Sequence, residues 1–293
     1  MMSILEIFLV SVKKEVIDLI KVGLIGLGKT GKYIAEGILQ QDNMEMVAAI
    51  CSPNSKKKGM NLGELLGNFK TKVKITTSDE LQATIFKTKP DVVVDFSNPQ
   101  ATIKNAVILS KMKVNMVIGT TGFSKEDIDK LQTISYKFKN GIVYAPNITL
   151  GVNVIMLLSN IAATILNNYD FQIIEMHYKN KKDSPSGTAL KLSDEIEHGL
   201  QISGVQNKPI PISSVRAGGV VGKHKVLIIG DEDRIEISHE SFSKKAFSLG
   251  ALNAVNYIYK KSGYYEMKDV LNLKKILHEY IDNLDNEVLS SQI

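Results

Sequence analysis

Residues 21–31 read KVGLIGLGKTG, a short apolar run ending in three glycines spaced Gly26-x-Gly28-x-x-Gly31. No other stretch constrains the fold as much. An apolar strand must turn sharply at Gly26, bring bare backbone up to a ligand at Gly28, and let a helix approach closely at Gly31. Ile34, Ala35, Ile38 and Leu39 then recur at helical spacing. Further apolar runs lie at 46–51, 91–96, 114–118 and 141–144, with helical segments such as 102–113 and 125–138 between them. Strands that are apolar throughout and alternate with helices predict a parallel sheet covered on both faces.

After about residue 147 the rhythm changes. Residues 151–166 read as a long apolar helix, 171–177 as a strand, and 186–202 as a helix with Leu192, Ile196 and Leu200 on one face. Strand-like runs at 210–217, 222–229 and 234–240 follow without helices between them, so the second sheet should be mixed or antiparallel. Helices resume at 248–261 and 271–284. The expected chain is α/β, with an N-terminal Rossmann-type dinucleotide-binding domain and a C-terminal α+β substrate domain with a mixed sheet. In residues, this is an extension over 1–20, the dinucleotide domain over 21–149, a substrate-binding and oligomerisation domain over 150–244, and a segment 245–293 returning to the first domain.

Composition narrows the partners. Apolar residues make up 44% and charged residues 23%, the balance of a soluble globular chain. The net charge of +5 comes from lysines spread along the sequence. No basic stripe with interleaved aromatics argues for nucleic acid, whereas a small anionic ligand suits the sign. The single cysteine, Cys51, excludes an intrachain disulfide and fits a reducing, cytoplasmic setting. It has no His or Cys neighbour in sequence, so no metal site is expected. The apolar run 4–12 is interrupted by Glu6 and too short to span a bilayer. It also lacks a preceding basic stretch and a small-residue cleavage site, so neither a membrane segment nor a signal peptide is expected. Only two arginines occur, Arg216 and Arg234, and either could mark a place that needs a planar two-pronged donor.

The glycine turn places Gly26, Gly28, Lys29, Thr30 and Gly31 around a pyrophosphate, on a helix N-terminus with unpaired N–H groups. The end of the second strand usually carries an acid that holds the ribose hydroxyls. Here it continues as Ser52-Pro53-Asn54-Ser55-Lys56-Lys57-Lys58. With no acid to repel a 2′-phosphate, and with Ser52 and three lysines at hand, the cofactor is NADPH or NADH, leaning to NADP.

A second chemical centre lies in residues 175–190, EMHYKNKKDSPSGTAL. His177 can supply a proton near neutral pH, and Lys181, four residues on, adds a positive charge. Ser186, Gly187 and Thr188 open a helix and offer hydroxyl and N–H donors to a carboxylate. Singly, each has a plainer reading: a packed histidine, a solvated lysine loop, a helix cap.

The same run resembles the signature of the dihydrodipicolinate reductase family. Four further segments are similar to that family in order: Val94-Asp95-Phe96-Ser97-Asn98-Pro99; Gly119-Thr120-Thr121-Gly122; Tyr144-Ala145-Pro146-Asn147 with Gly151-Val152-Asn153; and Arg216-Ala217-Gly218-Gly219 with Gly222 and His224. Residues 265–271 fit as well, so the resemblance spans about 21–275. It implies NAD(P)H-dependent reduction of 4-hydroxy-tetrahydrodipicolinate to tetrahydrodipicolinate in lysine and diaminopimelate synthesis, by a homotetramer built through the second domain's sheet. By the resemblance, His177 and Lys181 are catalytic, and Tyr178, Ser186, Gly187, Thr188 and Thr121 meet the dicarboxylate. Phe96, Gly119, Thr121, Ala145, Asn147 and Ile148 fall near the cofactor. Three features depart from the family pattern. The glycine spacing is one residue shorter with Lys29-Thr30 inside it, the acid after the second strand is missing, and Tyr178 stands where a second histidine is common. The competing readings are a related amino-acid or diamino-acid dehydrogenase, and a non-catalytic NAD(P)H-sensing protein.

Overall fold

The structure, a computed structural model, describes residues 19–280 apart from 68, 207 and 274. Most of the expected extension over 1–20 therefore lies outside the described residues. In chain order the first part runs β1 Ile20–Ile25, α1 Lys29–Leu39, β2 Met44–Cys51, α2 Leu62–Leu65, β3 Ile75–Thr77, a 3-10 turn Ser78–Glu80, α3 Leu81–Thr88, β4 Val92–Asp95, α4 Pro99–Lys111, β5 Asn115–Ile118, α5 Lys125–Phe138 and β6 Gly141–Tyr144. There follow α6 Leu150–Ile165, β7 Asp170–His177, α7 Gly187–Ile202, β8 Ile212–Arg216, β9 Gly222–Ile229, β10 Arg234–Ser241, α8 Lys245–Ile258, β11 Gly263–Glu266 and α9 Met267–Val270.

Seven strands form one sheet in the order β11-β6-β5-β4-β1-β2-β3, and every pairing in it is parallel. The strands are buried on both faces. On one side Val22, Leu24 and Val94 meet Ile34, Ala35 and Ile38 of α1 and Ala251 to Ile258 of α8. On the other, Ile25, Val93, Met116 and Ile118 meet Leu81, Ile85, Leu109 and Leu131 of α3, α4 and α5. Each fully buried Ile or Leu contributes about 1.5–3 kcal/mol. The order in which successive strands are laid down reverses between β1 and β4. That switch point opens a crevice at the carboxyl ends of the strands, where α/β sheets bind their ligands.

The second sheet, β10-β9-β7-β8, has four strands. β7 and β8 are parallel, while β7–β9 and β9–β10 are antiparallel. The helices α6 and α7 cover one face through Val152, Ile155, Met156, Leu192 and Ile196.

Several elements differ from expectation. The elements α2, β3, α3 and β11 were not among the expected ones. Helix α8 starts at Lys245 and stops at Ile258, three residues earlier at each end than the expected 248–261; the stop is set by Tyr259, which leaves helical backbone at ψ 126°, and by Lys260 with a left-handed φ of 59°. Of the expected helix 271–284, residues 275–280 are helical, and 281–284 lie outside the described residues.

Candidate active site

The glycine turn is built as its spacing requires. Gly26 has φ +96°, and a Cβ there would lie 2.4 Å from the Phe96 carbonyl oxygen. A Cβ on Gly31 would fall 1.8 Å from the Gly26 oxygen, so only glycine lets α1 approach β1 this closely. At Gly28, by contrast, a Cβ would meet nothing within 4 Å. The turn is thus packed on its inner side and open on its outer side, where Gly28 caps α1 without a side-chain hydrogen bond. An open cradle ending in free helical N–H groups fits a dinucleotide pyrophosphate.

Lysines rim this cradle. Lys29 is exposed within it. Lys57 Nζ donates to the Leu27 carbonyl at 2.5 Å, and Lys244 Nζ reaches Thr30 Oγ1 at 3.5 Å. Burial, reinforced by Lys29, pushes the Lys244 ammonium below its usual range. Of the lysine run 56–58, Lys58 turns away to Glu80 at 3.1 Å, so Lys57 is the member placed over the turn. Ser52 is exposed beside it.

Toward the centre of the crevice, the Phe96 ring covers Gly119, where a Cβ would come within 2.0 Å of it. Asp95 lies beneath, fully buried. Its carboxyl accepts from Ser97 N–H at 2.9 Å and Ser97 Oγ at 2.6 Å, and from Asn105 Nδ2 at 3.0 Å. Thr120 Oγ1 donates to the Asp95 carbonyl at 3.3 Å. Burial pushes this acid up, and its donors oppose the shift. The cluster ties the loops after β4 and β5 together. Within 119–122, Thr120 is buried, while Thr121 is exposed. Ala145 and Ile148 are almost wholly buried in the core, and Ala145 N–H is committed to the Ile118 carbonyl. Their side chains therefore contribute packing, whereas Asn147 reaches across to the second lobe.

Alternation along β7 puts Phe171, Ile173, Glu175 and His177 on the buried face. Glu175 is completely buried. Its Oε2 accepts from His177 Nδ1 at 2.5 Å and Arg216 Nη1 at 2.9 Å. Its Oε1 accepts from Arg216 Nη2 at 2.6 Å and Ser186 N–H at 3.3 Å. Burial alone would raise this carboxyl. The Arg216 fork, with His177, reverses that and holds it down at about 2. For His177, burial lowers the proton affinity, Glu175 raises it, and Lys181 and Arg216 lower it again. The His224 ring stands edge-on to His177 with centroids 5.2 Å apart. Burial depresses it to about 3, so its ring is neutral near pH 7.

The expected substrate residues separate into two groups. Ser186 is 2% exposed and wholly engaged. Its Oγ caps α7 by accepting from Ala189 N–H at 3.2 Å and lies 3.2 Å from His224 Nε2. Its hydroxyl is therefore engaged inside the fold in this structure. A Cβ at Gly187 would meet nothing within 4 Å, and Thr188 Oγ1 donates to Asn147 Oδ1 at 2.6 Å. Lys181 Nζ is held by both oxygens of Asp183, at 2.7 and 2.8 Å. The Tyr178 side chain is 43% exposed. Asn147, Ile148, His177, Thr188, Gly222, His224 and His239 surround one narrow cavity of about 50 Å³ that joins the two lobes. A side chain at Gly222 would lie 3.1 Å from His177 Nε2, so glycine keeps that nitrogen open.

Sequence reasoning gave Arg216 and His224 no firm role and passed over Glu175, Asp95 and Lys244. For Glu175 a signal existed, since it shares strand parity with Phe171, Ile173 and His177. Glu175, His177 and His224 offer three ligand atoms within 4.8 Å of one another, the one such group among the described residues. The Arg216 guanidinium already occupies both oxygens of that carboxylate, which makes the trio a hydrogen-bonded cluster unsuited to a cation. A larger groove of about 800 Å³, lined by Phe86, Lys89, Lys113 and Lys139, opens at the amino ends of the strands, away from this chemistry.

Comparison with known proteins agrees across the chain. Residues 20–148 match the family described as "Dihydrodipicolinate reductase, N-terminus", and residues 151–271 match "Dihydrodipicolinate reductase, C-terminus". A 4-hydroxy-tetrahydrodipicolinate reductase of Methanocaldococcus jannaschii is 40% identical over 272 residues, covering 88% of this chain and 99% of its own. One from Methanococcus vannielii is 38% identical over 87% of this chain and 100% of its own. The dipicolinate-bound dihydrodipicolinate reductase of Paenisporosarcina sp. TG-14 superposes with a TM-score of 0.68 at 28% identity, covering 85% of this chain and 97% of that one. From its glycine turn to the Tyr265–Leu271 segment, this chain belongs to the dihydrodipicolinate reductase family.

Proposed function

We propose that this chain reduces 4-hydroxy-tetrahydrodipicolinate to tetrahydrodipicolinate with a nicotinamide cofactor, preferring NADPH. The observation that carries the reading is the narrow cavity where His177 and the start of α7 face Asn147 and Ile148 of the nucleotide lobe. When bound, the cofactor supplies a hydride to the ring as the 4-hydroxyl departs as water. The protein must hold two carboxylates, deliver a proton and keep water away. The N–H groups of Gly187 and Thr188 and the Thr188 hydroxyl receive one carboxylate at the α7 N-terminus. His177 keeps Nδ1 on Glu175 and turns Nε2 to the cavity. Burial first, and then the Lys181 and Arg216 charges, depress its proton affinity; an arriving dianion offsets those charges and favours a proton on His177, which then donates from Nε2. Lys181 leaves Asp183 to stabilise the developing charge.

Residues 21–149 and the returning segment from 245 make up the nucleotide lobe, and residues 150–244 the substrate lobe. The preference for NADPH follows from Lys57 above the turn and the missing acid after β2. A cytoplasmic homotetramer assembled through the second sheet completes the reading. The test is NAD(P)H oxidation with the freshly generated product of the preceding synthase reaction. Turnover should be readily measured and fall about 10²-fold or more in His177→Gln, with NADPH affinity retained. Folded protein that oxidises neither cofactor would overturn the activity, and wild-type turnover in His177→Gln would remove that residue as the acid.

A further inference from the structure

We propose that Glu175 is a positioning residue shared by both halves of the substrate site, one buried carboxylate that orients the His177 imidazole and anchors the N-terminus of α7. The proposal rests on the reading of His177 and α7 given above. Its basis is the distribution of donors over the two oxygens. Oε2 takes His177 Nδ1 at 2.5 Å and Oε1 takes Ser186 N–H at 3.3 Å. Arg216 spans both from β8 and also donates to the Asp183 carbonyl at 2.7 Å. The acid and the anion nest are therefore fixed to one group, a single residue away from each being free to drift.

Two consequences follow from elementary chemistry. A carboxylate on Nδ1 keeps the ring proton there and leaves Nε2 as the working nitrogen. Ser186 is the cap of α7, and His224 grips its hydroxyl from the opposite side at 3.2 Å. Moving the Ser186 N–H would thus move the N–H groups of Gly187 and Thr188 that follow it. Glu175 also supplies negative charge against the cations around His177. Arg216 faces the pair from β8, His224 from β9 with His239 paired to it on β10, and Lys181 and Asp183 from the loop after β7. Removing that charge lowers the proton affinity of His177.

The experiment compares wild type, Glu175→Gln and Glu175→Asp, with thermal midpoint and NADPH affinity as checks on folding. In Glu175→Gln, the pH at which kcat/KM is lost should fall by about one unit, and KM for the dicarboxylate should rise about tenfold at unchanged NADPH affinity. Glu175→Asp keeps the charge on a shorter stem. It should restore the pH limb while leaving KM raised, a split that mere loss of stability would not produce. If Arg216, left unpaired, prevents Glu175→Gln from folding, Glu175→Gln/Arg216→Gln removes both charges; KM should rise as before and the pH limb should fall by less, because the Arg216 charge that opposes His177 protonation is gone too. A folded variant with the wild-type pH limb and KM overturns the proposal. Imidazole nitrogen spectra of the five histidines provide a readout independent of turnover. His177 should hold the Nδ1–H form in wild type and lose that preference in Glu175→Gln. An unchanged tautomer overturns the positioning role, whereas absent turnover in wild type overturns only the assigned reaction.

Discussion

His224 has 4% of its surface exposed and shares the Ser186 hydroxyl with the α7 cap. Burial, and then His177, depress its pKa from 6.5 to about 3. The folded state thus resists a proton that the unfolded chain accepts. Its contribution to stability is complete above pH 6.5 and drains away as the pH falls toward 3. Glu175 follows in a lower window, from its ordinary 4.5 down to about 2, because there the folded state favours the carboxylate. Acid should therefore weaken the protein in two overlapping stages. Thermal midpoints recorded from pH 8 to 4 should decline below about 6.5, and His224→Gln should flatten that first decline. An unaltered slope in the variant would contradict the assignment. At this scale the sequence showed which residues carry charge but not what satisfies it. His177 was legible from its neighbours, while Glu175 looked like any strand acid until Arg216, far along the chain, came beside it in the sheet.

Among the elements, α1 was the most legible and also separates two uses of glycine. Gly31→Ala drives a Cβ into the Gly26 carbonyl, 1.8 Å away, so α1 must shift off β1. That variant should lose about 1–3 kcal/mol of stability and bind NADPH poorly. Gly28→Ala meets no protein atom within 4 Å, so it should melt with wild type and still bind NADPH weakly, because its methyl occupies the ligand's space. Cofactor titration together with melting curves checks the pair, and full affinity in Gly28→Ala would mean that the pyrophosphate lies elsewhere. Helix α5, with its Ser124–Asp127 capping box, matches the expected 125–138 at both ends, whereas α4, capped by Asn98, starts three residues before the expected 102. The elements β3 and β11 were not legible. Three or four residues carry too little periodicity, and both exist only because a parallel neighbour, β2 or β6, supplies their hydrogen bonds.

At the level of the whole molecule, the two sheets are covered differently. The first is buried on both faces, whereas the second carries helices on one face. Its other face sets half-buried Ile174, Met176, Val215 and Leu227 among the Lys223–Glu240 and Lys225–Glu236 pairs. An uncovered, partly apolar sheet is a natural surface for self-association. The protein should elute and scatter light as a tetramer, and Leu227→Glu should yield smaller species. A monomeric wild type would refute assembly through this sheet. Two lobes could be foreseen from the change in strand rhythm near residue 147. How they meet could not, since Asn147 and Thr188 lie far apart in sequence. Their 2.6 Å hydrogen bond has one more consequence. Under the proposed reading, in which the Thr188 hydroxyl receives a substrate carboxylate, that hydroxyl is already clasped by Asn147, and substrate entry would exchange one acceptor for another. Recognition of the dicarboxylate would then also be the release of the clasp between Asn147 and Thr188.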